Sequence, residues 1–506
     1  MAEHTWYLIA IAIYMAVMLY IGWAGYRKTN EYDDYVLGGR GLNPFVAALS
    51  AGASDMSGWL LMGLPGAIYL SGLNQTWIAI GLLVGAFLNW TFTAPRLRAY
   101  SHIARNSMTV PTFFENRVHD RSKALRVTAG LVILMFFTFY VSSGMVAGGV
   151  YWESTFGGSY LTGMLIVAAV TVLYTLFGGF VAVSNTDAVQ GMIMFIALLL
   201  VPVFALFAIK DLGESPSSIF SWPTGHPYPG SNGEPVEGFF NMFTGIPAIT
   251  IIGLAGWGLG YFGQPHIVVR FMALRQPAEA KQGRLIGTVW QLLCQLGALF
   301  VALVATVYFA TSGATISDTE SYESIFLDMS RVLFHPLVAG LILTAVLAAI
   351  MSTISSQLLI SATALVEDLY HGIFNRHLKA RQSLVLSRIA VLAVAVVAAI
   401  LAANPNNSIL DLVGFAWAGF GSAFGPVMLA SLYWRRLNAP GALAGMITGA
   451  VVAFAWGSSP LTDTLYEIVP GFLSATIVMV LVSLATKKPS EEVLSEFEEA
   501  RTAARA

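Results

Sequence analysis

Long apolar runs separated by short polar segments are the dominant pattern along this chain. Thirteen of these runs reach the roughly 20 residues that a helix needs to cross the hydrocarbon core of a bilayer. The pattern therefore predicts an all-α membrane protein with thirteen transmembrane helices and no separate soluble domain. The predicted spans lie near residues 6–25, 43–72, 75–95, 125–152, 160–181, 188–209, 242–265, 285–310, 335–363, 384–403, 410–432, 439–458 and 467–486.

Composition supports a membrane location and excludes other classes of protein. Hydrophobic residues make up 56% of the 506 positions and charged residues 11%, and the mean hydropathy is +0.70. These values exclude an ordinary soluble domain and leave membrane lipid as the expected surroundings. A net charge of −2 gives no support to nucleic-acid binding. The single cysteine, Cys294, lies in an apolar run and is expected to be a buried structural thiol.

Basic residues predict the orientation in the membrane. Of the 26 lysines and arginines, all but Lys210 and Arg331 share one side when the N-terminus is placed outside. Because cytoplasmic segments are enriched in Lys and Arg, we expect a periplasmic N-terminus and a cytoplasmic C-terminus in the inner membrane. The run 6–25 follows no basic region and carries no A-x-A-like cleavage site, so it is predicted to be a retained helix.

Three polar segments lie between or after the spans. Residues 211–240 are rich in Gly, Pro and Ser and predict an irregular external loop. Residues 317–328 favour a solvated acidic face. The tail from Pro489 to Ala506 is rich in Glu and Ala and predicts a short cytosolic helix. The acidic residues of the second segment are Asp318, Glu320, Glu323 and Asp328.

A carboxylate lies in the middle of the second span. Ala48 to Trp59 read A-L-S-A-G-A-S-D-M-S-G-W, which places Asp55 at bilayer depth among serines and glycines. A charge at that depth costs roughly 2.5–3.5 kcal/mol even on lenient insertion scales. Glycines loosen the helix and free backbone groups that lipid cannot satisfy. The segment therefore predicts a polar site inside the membrane protein.

A second span is also interrupted, and its position corresponds to that of the first. The span 242–265 ends G-L-A-G-W-G-L-G-Y-F-G-Q-P, from Gly253 to Pro265. The two broken spans open consecutive sets of five, 43–209 and 242–432, and an odd number of spans gives the second set the opposite polarity. Paired interruptions of this kind indicate the midplane site of a transporter. Close packing of helices at glycines is the alternative for either span alone.

A third segment, from Leu347 to Leu359, is polar where a lipid-facing helix is apolar. Ala349, Ser352 and Thr353 stand at i, i+3 and i+4 and share one helix face. A hard cation such as sodium binds several oxygens, by the logic that governs calcium and magnesium. These hydroxyls with carbonyls from residues 53–56 would supply about five oxygens. Bonding of the hydroxyls to their own backbone or between helices is the alternative.

The motifs around Asp55, Trp257 and Ser352 resemble the sodium/solute symporter family, within it the bacterial proline-transporting branch. The likeness extends from Glu31 to about Gly471. It implies the five-plus-five inverted-repeat fold of the leucine-transporter class, with one helix before and two after. The implied parts are 1–42 (first helix and inner loop), 43–210 (first repeat), 211–241 (external loop), 242–433 (second repeat), 434–488 (two peripheral helices) and 489–506 (cytosolic tail).

The resemblance also implies L-proline as substrate, one sodium ion as the coupling ion, and a set of site residues. The implied sodium ligands are the carbonyls of Ala53, Met56 and Ala349 and the hydroxyls of Ser352 and Thr353. The implied substrate residues are Ser57, Gly58, Trp59, Tyr140, Trp257, Tyr261 and Pro265. The resemblance also implies that Asp55 couples sodium binding to transport. Whether Asp55 contacts sodium directly stays open.

Two further charged residues have less specific interpretations. Asp187 follows S-N-T and is either a helix cap or, by the resemblance, a participant in sodium release. Arg40 lies in the first inner loop beside Asp33 and Asp34 and is expected to form ion pairs at the inner mouth.

Three alternatives to proline symport stay open at this point. The first is a symporter of the same family for a monocarboxylate, pantothenate or a sugar. The second is an ion channel, which has little use for paired broken helices. A membrane enzyme is the weakest, since the eight histidines form no H-x-x-x-H pair near a carboxylate and no nucleophile–base set is visible.

Overall fold

The computed structural model describes residues 3–27, 36–177, 179–223, 238–374, 380–404 and 408–505. Across these ranges the secondary structure is helical, apart from one isolated parallel bridge between Leu42 and Leu274. The prediction of an all-α protein is confirmed. The bridge joins the segment just before the first broken span to the segment that follows the second.

The first part of the chain forms helices up to the loop near residue 212. Asn43 begins α2 by accepting a hydrogen bond from the Val46 N–H (3.0 Å), with Pro44 at the first helical position. Single π-helical turns at Trp59–Gly63 and Asn89–Thr93 continue into α3 and α5. The helices are α1 (Glu3–Tyr26), α2 (Pro44–Asp55), α3 (Leu64–Ser71), α4 (Thr76–Leu88), α5 (Ala94–Ile103), α6 (Val110–Arg117), α7 (Ala124–Phe156), α8 (Tyr160–Phe177) and α9 (Phe180–Asp211).

The second part is again helical. A 3-10 segment, Gly256–Gly263, joins α10 to the extended residue Gln264 and then α11. A π-helical stretch, Ala364–Tyr370, continues α14. The helices are α10 (Ala248–Ala255), α11 (Pro265–Met272), α12 (Ala280–Ser312), α13 (Ile325–Leu333), α14 (Pro336–Thr363), α15 (His371–Phe374), α16 (Ala380–Ala402), α17 (Ile409–Tyr433), α18 (Ala439–Gly457), α19 (Ile468–Ala485) and α20 (Glu491–Ala503).

The helices identify a multi-pass membrane protein. Ten helices within the described ranges are long and apolar enough to cross a bilayer. The pair Pro44–Asp55 and Trp59–Ser71 forms an eleventh span that bends by 62° at its break. Two shorter apolar helices, Tyr160–Leu173 and Ala248–Gly263, lie in the positions of two further predicted runs.

The bundle has two chemically different ends. At the basic end, Arg96 donates to the Leu432 carbonyl (2.7 Å) and Arg117 donates to the Ser431 carbonyl (2.7 Å). The opposite end, called the acidic end here, holds the segment 313–324 and the start of α17. The two ends lie at opposite ends of α17, whose first residues contact Glu323 and whose last residues contact Arg96 and Arg117.

The acidic segment 317–328 is solvated only in its first part, where Glu320 is exposed. The prediction is wrong for Glu323 and Asp328, which are only 4% and 3% exposed. The Glu323 carboxylate accepts hydrogen bonds from the Ile409 and Leu410 N–H groups (3.1 and 3.2 Å), where α17 begins. A carboxylate at a helix N-terminus satisfies backbone donors that have no partner within the helix. Burial nevertheless raises the pKa of Glu323 to about 7, with the Asp318 and Asp411 carboxylates adding to the rise.

The chain ends in α20, which confirms the predicted tail helix. Its Phe497 packs beside the Tyr100 ring (6.2 Å between centroids) and below the Arg117 guanidinium (5.0 Å). The tail therefore covers the basic end of α5 and α6.

Both broken helices lie in the middle of the bundle. The helix α2 packs against α9, α12 and α14, and the 3-10 segment packs against α4 and α17. Their breaks are therefore surrounded by protein, as freed backbone groups at membrane depth require.

Candidate functional site

The first break follows directly from its sequence. The helix α2 ends at Asp55, and Met56 leaves helical geometry with ψ of 72°. Gly58 lies so close to α7 that an added Cβ would stand 2.8 Å from the Ala147 Cβ. The small residues at 57–58 therefore allow the chain to turn tightly before it becomes helical again.

Asp55 connects the two broken helices. Its side chain is 1% exposed, and one carboxylate oxygen accepts a hydrogen bond from the Tyr261 hydroxyl. That hydroxyl in turn accepts a hydrogen bond from Gln291 Nε2 (2.9 Å). The other oxygen, Oδ1, has no hydrogen-bond partner among the described residues. A buried carboxylate oxygen without a donor is a vacant acceptor for a cation or a ligand proton.

The Asp55 backbone holds two of the predicted aromatic residues. Its carbonyl accepts hydrogen bonds from Trp59 Nε1 (3.0 Å) and from the Tyr140 hydroxyl (3.4 Å). Trp59, Tyr140 and Tyr261 come from three different helical segments, and the structure brings all three to one residue. The two breaks therefore lie together.

The second break depends on close backbone approach. An added Cβ at Gly260 would lie 1.9 Å from the Trp417 indole nitrogen, so no larger residue fits there. Trp417 Nε1 donates to the Trp257 carbonyl (2.7 Å), and the Trp417 ring stands perpendicular to the Tyr261 ring at 5.1 Å. Gln264 Nε2 donates to the Trp417 carbonyl (3.0 Å). The helix α17 therefore fixes the shape of this break.

Aromatic side chains form a wall between the breaks and the acidic end. The Trp59 and Trp257 rings lie 6.3 Å apart, and Trp257 also lines a cavity of about 740 Å³. This cavity, called the vestibule here, is further lined by Asp411 and Glu467 and by Tyr466. Trp59 does not line the vestibule and is 1% exposed. Trp257 thus marks the boundary between the vestibule and the buried interior.

Oxygen atoms from α2 and α14 meet on one side of Asp55. Ser352 Oγ donates to the Ala53 carbonyl (2.8 Å) and lies 3.1 Å from the Ala349 carbonyl. The Thr353 hydroxyl is buried and has no hydrogen-bond partner in the described part of the chain. Met56 lies at the break itself. This donor set contains only oxygen, which suits a hard monovalent cation.

Asp187 forms a buried ion pair instead of a helix cap. The helix α9 begins at Phe180, so Asp187 lies two turns inside it and the cap interpretation is wrong. One carboxylate oxygen lies 3.0 Å from Arg270 Nη2 and accepts a hydrogen bond from Ser50 Oγ (2.8 Å). Arg270 also donates to Ser356 Oγ (2.7 Å). The pair joins α2, α9, α11 and α14 between the oxygen cluster and the basic end.

Two predicted residues lie away from this center. Arg40 donates to Ser101 Oγ (2.9 Å) and to the Met272 carbonyl (2.7 Å), which ties the loop before α2 to the end of α11. Its predicted neighbors Asp33 and Asp34 lie outside the described residues. Pro265 begins α11 and lines a small cavity on the side of the basic end.

Three important residues were missed by sequence reasoning: Arg270, Gln291 and Trp417. The sequence gives one indication of Arg270, because this basic residue follows the predicted site residue Pro265 by only five positions. It gives no indication of Gln291 or Trp417, since each is a single residue within an apolar run and reaches the site only through folding.

Comparisons with known proteins agree on one family. A profile of the sodium:solute symporter family matches residues 35–449. The chain is 50% identical over 480 residues to the high-affinity proline transporter PutP of Bacillus subtilis, covering 95% of this chain and 98% of that protein. It is 46% identical over 504 residues to the sodium/proline symporter of Escherichia coli, covering 99% and 97%.

Solved structures show the fold. A substrate-bound, outward-open Na⁺-coupled sialic acid symporter aligns with a TM-score of 0.76 at 17% identity, covering 96% of this chain and 99% of that one. A nucleobase-cation-symport-1 family transporter in a closed conformation aligns with a TM-score of 0.55 at 15% identity, covering 92% and 98%. At these identities the likeness concerns the fold alone.

Proposed function

This chain belongs to the sodium:solute symporter family, and we propose that it imports L-proline together with sodium by alternating access. The relatives that resemble it over nearly its whole length are named as proline transporters or sodium/proline symporters. The structural observation that carries the proposal is the bond between Ser352 and the Ala53 carbonyl (2.8 Å), beside the contact of Asp55 with Tyr261. An ion bound between Ala53 and Ser352 would lie close to Asp55, the residue that connects the two broken helices.

The sodium site that we propose has five oxygen ligands. The carbonyls of Ala53 and Ala349 already share the Ser352 hydroxyl, so a cation held there would replace that hydrogen bond by direct ligation. The unpartnered Thr353 hydroxyl supplies a further oxygen, and the Met56 carbonyl at the break supplies the last. Sodium would then hold α2 against α14.

The substrate site that we propose lies against the aromatic residues beside the sodium site. Proline is a zwitterion with an apolar ring, so it needs flat apolar walls and two polar ends. Trp59, Tyr140, Trp257 and Tyr261 supply such walls and attract an ammonium group through their ring faces. The Gly58 N–H group, where helix resumes, suits the carboxylate. The Ser57 N–H already donates to the Asp55 carbonyl (2.8 Å), so Ser57 would contribute its hydroxyl instead.

Asp55 has a different task in this proposal. Because its carboxylate accepts from Tyr261 and its carbonyl accepts from Trp59 and Tyr140, it fixes the positions of three substrate-site rings. Its Oδ1 is buried and has no hydrogen-bond partner among the described residues. We therefore assign Asp55 to coupling between sodium and the substrate wall, and Pro265 to the path toward the basic end.

Coupling requires that sodium and proline each raise the affinity for the other by the same factor. One sodium with a zwitterion moves one net positive charge, which is worth roughly 2.3 kcal/mol per 100 mV of membrane potential. Since 1.36 kcal/mol corresponds to a tenfold ratio, that potential alone supports about a 50-fold proline gradient.

The topology that we propose has thirteen transmembrane spans. The two short apolar helices, added to the ten long ones and the bent pair, give thirteen spans. The 62° bend after α2 and the 3-10 break before α11 occupy corresponding positions in two five-span sets, which supports the inverted repeat. The basic end would face the cytoplasm and the acidic end the periplasm, with the protein in the inner membrane.

Uptake in proteoliposomes tests the function. Purified protein is reconstituted, and labeled proline uptake is measured with an imposed sodium gradient, with a proton gradient, and with neither. We expect saturable uptake that requires the sodium gradient. Competition by a monocarboxylate, pantothenate or a sugar, in place of proline, would assign a different solute. Flux that neither saturates nor needs a gradient would identify a channel.

A further inference from the structure

Tyr466 lies outside the segments assigned to transport but reaches the boundary of the site. It belongs to the connection between α18 and α19, which follows the proposed second repeat. Its ring stacks on the Trp257 ring at 5.1 Å between centroids, with the planes within 18° of each other. Among the described tyrosines and tryptophans, this is the one near-parallel stack.

The connection that carries Tyr466 is firmly held. Its hydroxyl donates to the Gly414 carbonyl of α17 (2.6 Å). The Trp456 indole donates to the preceding carbonyl, that of Leu465 (2.8 Å), and the carboxylate of the following Glu467 accepts from the Thr462 hydroxyl (2.7 Å). The ring position is therefore set by α17 and α18 together.

The stack is tightly packed on the side of α17. An added Cβ at Gly414 would stand 3.1 Å from the Trp257 ring and 3.7 Å from the Tyr466 ring. Both rings line the vestibule, whereas Trp59, next to Trp257, is buried from it. A solute passing from the vestibule toward Asp55 would have to move Trp257, and Tyr466 holds Trp257 in place.

We propose that Tyr466 is a positioning residue that holds Trp257 across the path from the vestibule and limits the size of the ring that the substrate wall admits. This inference rests on the proposed function for the identity of the substrate. The hydrogen bond to Gly414 fixes Tyr466, and the stack transmits that position to Trp257. An aromatic pair of this geometry corresponds to an effect of about three- to tenfold on binding.

The first test is kinetic. In proteoliposomes, Tyr466→Ala should raise the KM for proline about three- to tenfold while the half-saturating sodium concentration at saturating proline stays within about twofold. The preference for proline over its six-membered-ring homologue, pipecolate, should fall. Tyr466→Phe keeps the stack and should stay closer to the wild type than the Ala variant.

A matched control is available on the same part of the chain. Phe472 in α19 packs on α17 at Gly425, where an added Cβ would stand 2.6 Å from its ring. Phe472→Ala removes a similar aromatic contact with α17 but leaves the Trp257 stack intact. Its KM and ring-size preference should match the wild type.

The second test does not depend on the substrate. In a Cys294→Ala background, Ser57→Cys places one thiol at the first break beside Trp59, which is buried and lies next to the Trp257 ring. A membrane-impermeant thiol reagent should label it several-fold faster with Tyr466→Ala, and at the unchanged rate with Phe472→Ala. Faster labeling without proline transport by the wild type would refute the proposed function and leave this inference standing. Unchanged labeling and an unchanged KM in Tyr466→Ala, or equal changes in Phe472→Ala, would overturn it.

Discussion

Removing the charge of Asp187 should destabilise the protein because it leaves a buried arginine without its counter-ion. Arg270 is 1% exposed and Asp187 is 0% exposed, and their atoms approach to 3.0 Å. Breaking such a pair by removing one partner costs about 3–5 kcal/mol. Arg270 keeps its bonds to Ser50 and Ser356, so we expect Asp187→Asn near the lower end of that range and Asp187→Ala near the upper.

The double variant Asp187→Asn with Arg270→Gln removes both charges. It should lose less free energy of unfolding than the two single variants lose when their losses are added. We expect a coupling free energy of at least about 1 kcal/mol, within the range for residues in direct contact. The free energy of unfolding is measured in mixed micelles with rising denaturing detergent for the wild type, both single variants and the double variant.

The pair Arg275–Glu279 at the same end, which reaches solvent, provides the control. Its atoms are 2.7 Å apart, and Arg275 is 53% and Glu279 19% exposed, so Glu279→Gln should cost no more than about 1 kcal/mol. The reasoning would be refuted if the two single substitutions in the buried pair were additive to within about 0.5 kcal/mol, or if Glu279→Gln cost as much as Asp187→Asn.

Three further predictions concern the site and the acidic end. Asp55→Asn keeps an acceptor for Tyr261 but removes the charge, so sodium-driven uptake should be lost at ordinary sodium concentrations; normal uptake would remove Asp55 from coupling. Thr353→Val should raise the half-saturating sodium concentration several-fold with little change in proline affinity at saturating sodium, unlike Thr344→Val on the same helix; a change in proline affinity alone would contradict the ligand assignment. Because folding raises the pKa of Glu323 to about 7, the folded protein holds this proton more tightly than the unfolded chain does. The resulting stabilisation is complete below about pH 4.5 and is lost as the pH rises through 7. Melting temperatures should therefore fall from pH 5 to pH 8 in the wild type and in the exposed Glu320→Gln control, and less so in Glu323→Gln; equal slopes would count against the assignment.

Local chemistry explains what the sequence could predict. The break at Asp55 was predictable because a carboxylate between glycines cannot face lipid. The shared face of Ser352 and Thr353 was predictable from helical spacing, and the structure places Ser352 on the Ala53 carbonyl as a joint site requires. Each of these conclusions needs only a few neighboring residues and the constraint that the membrane imposes.

Tertiary packing explains what the sequence could not predict. Gln291 and Trp417 are polar or amphipathic residues in apolar runs, and nothing nearby in the chain indicates that they reach Tyr261. Glu323 and Asp328 resemble solvated residues because acidic loops are usually exposed, but here α17 begins against one of them. Asp187 looked like a helix cap because its neighbors suit that position, whereas its partner Arg270 is 83 residues away.

The site is closed by an aromatic stack toward the acidic end and by a buried ion pair toward the basic end. Toward the acidic end, one aromatic stack of Trp257 and Tyr466 separates the site from the vestibule, a contact worth about 0.5–1.5 kcal/mol beyond its buried area. Toward the basic end, the desolvated pair of Asp187 and Arg270 joins α2, α9, α11 and α14, and each charge is stabilised in the interior by the other. In the orientation that we propose, the empty protein should therefore sample opening toward the periplasm more often than toward the cytoplasm, and so wait for cargo on the side where sodium is abundant.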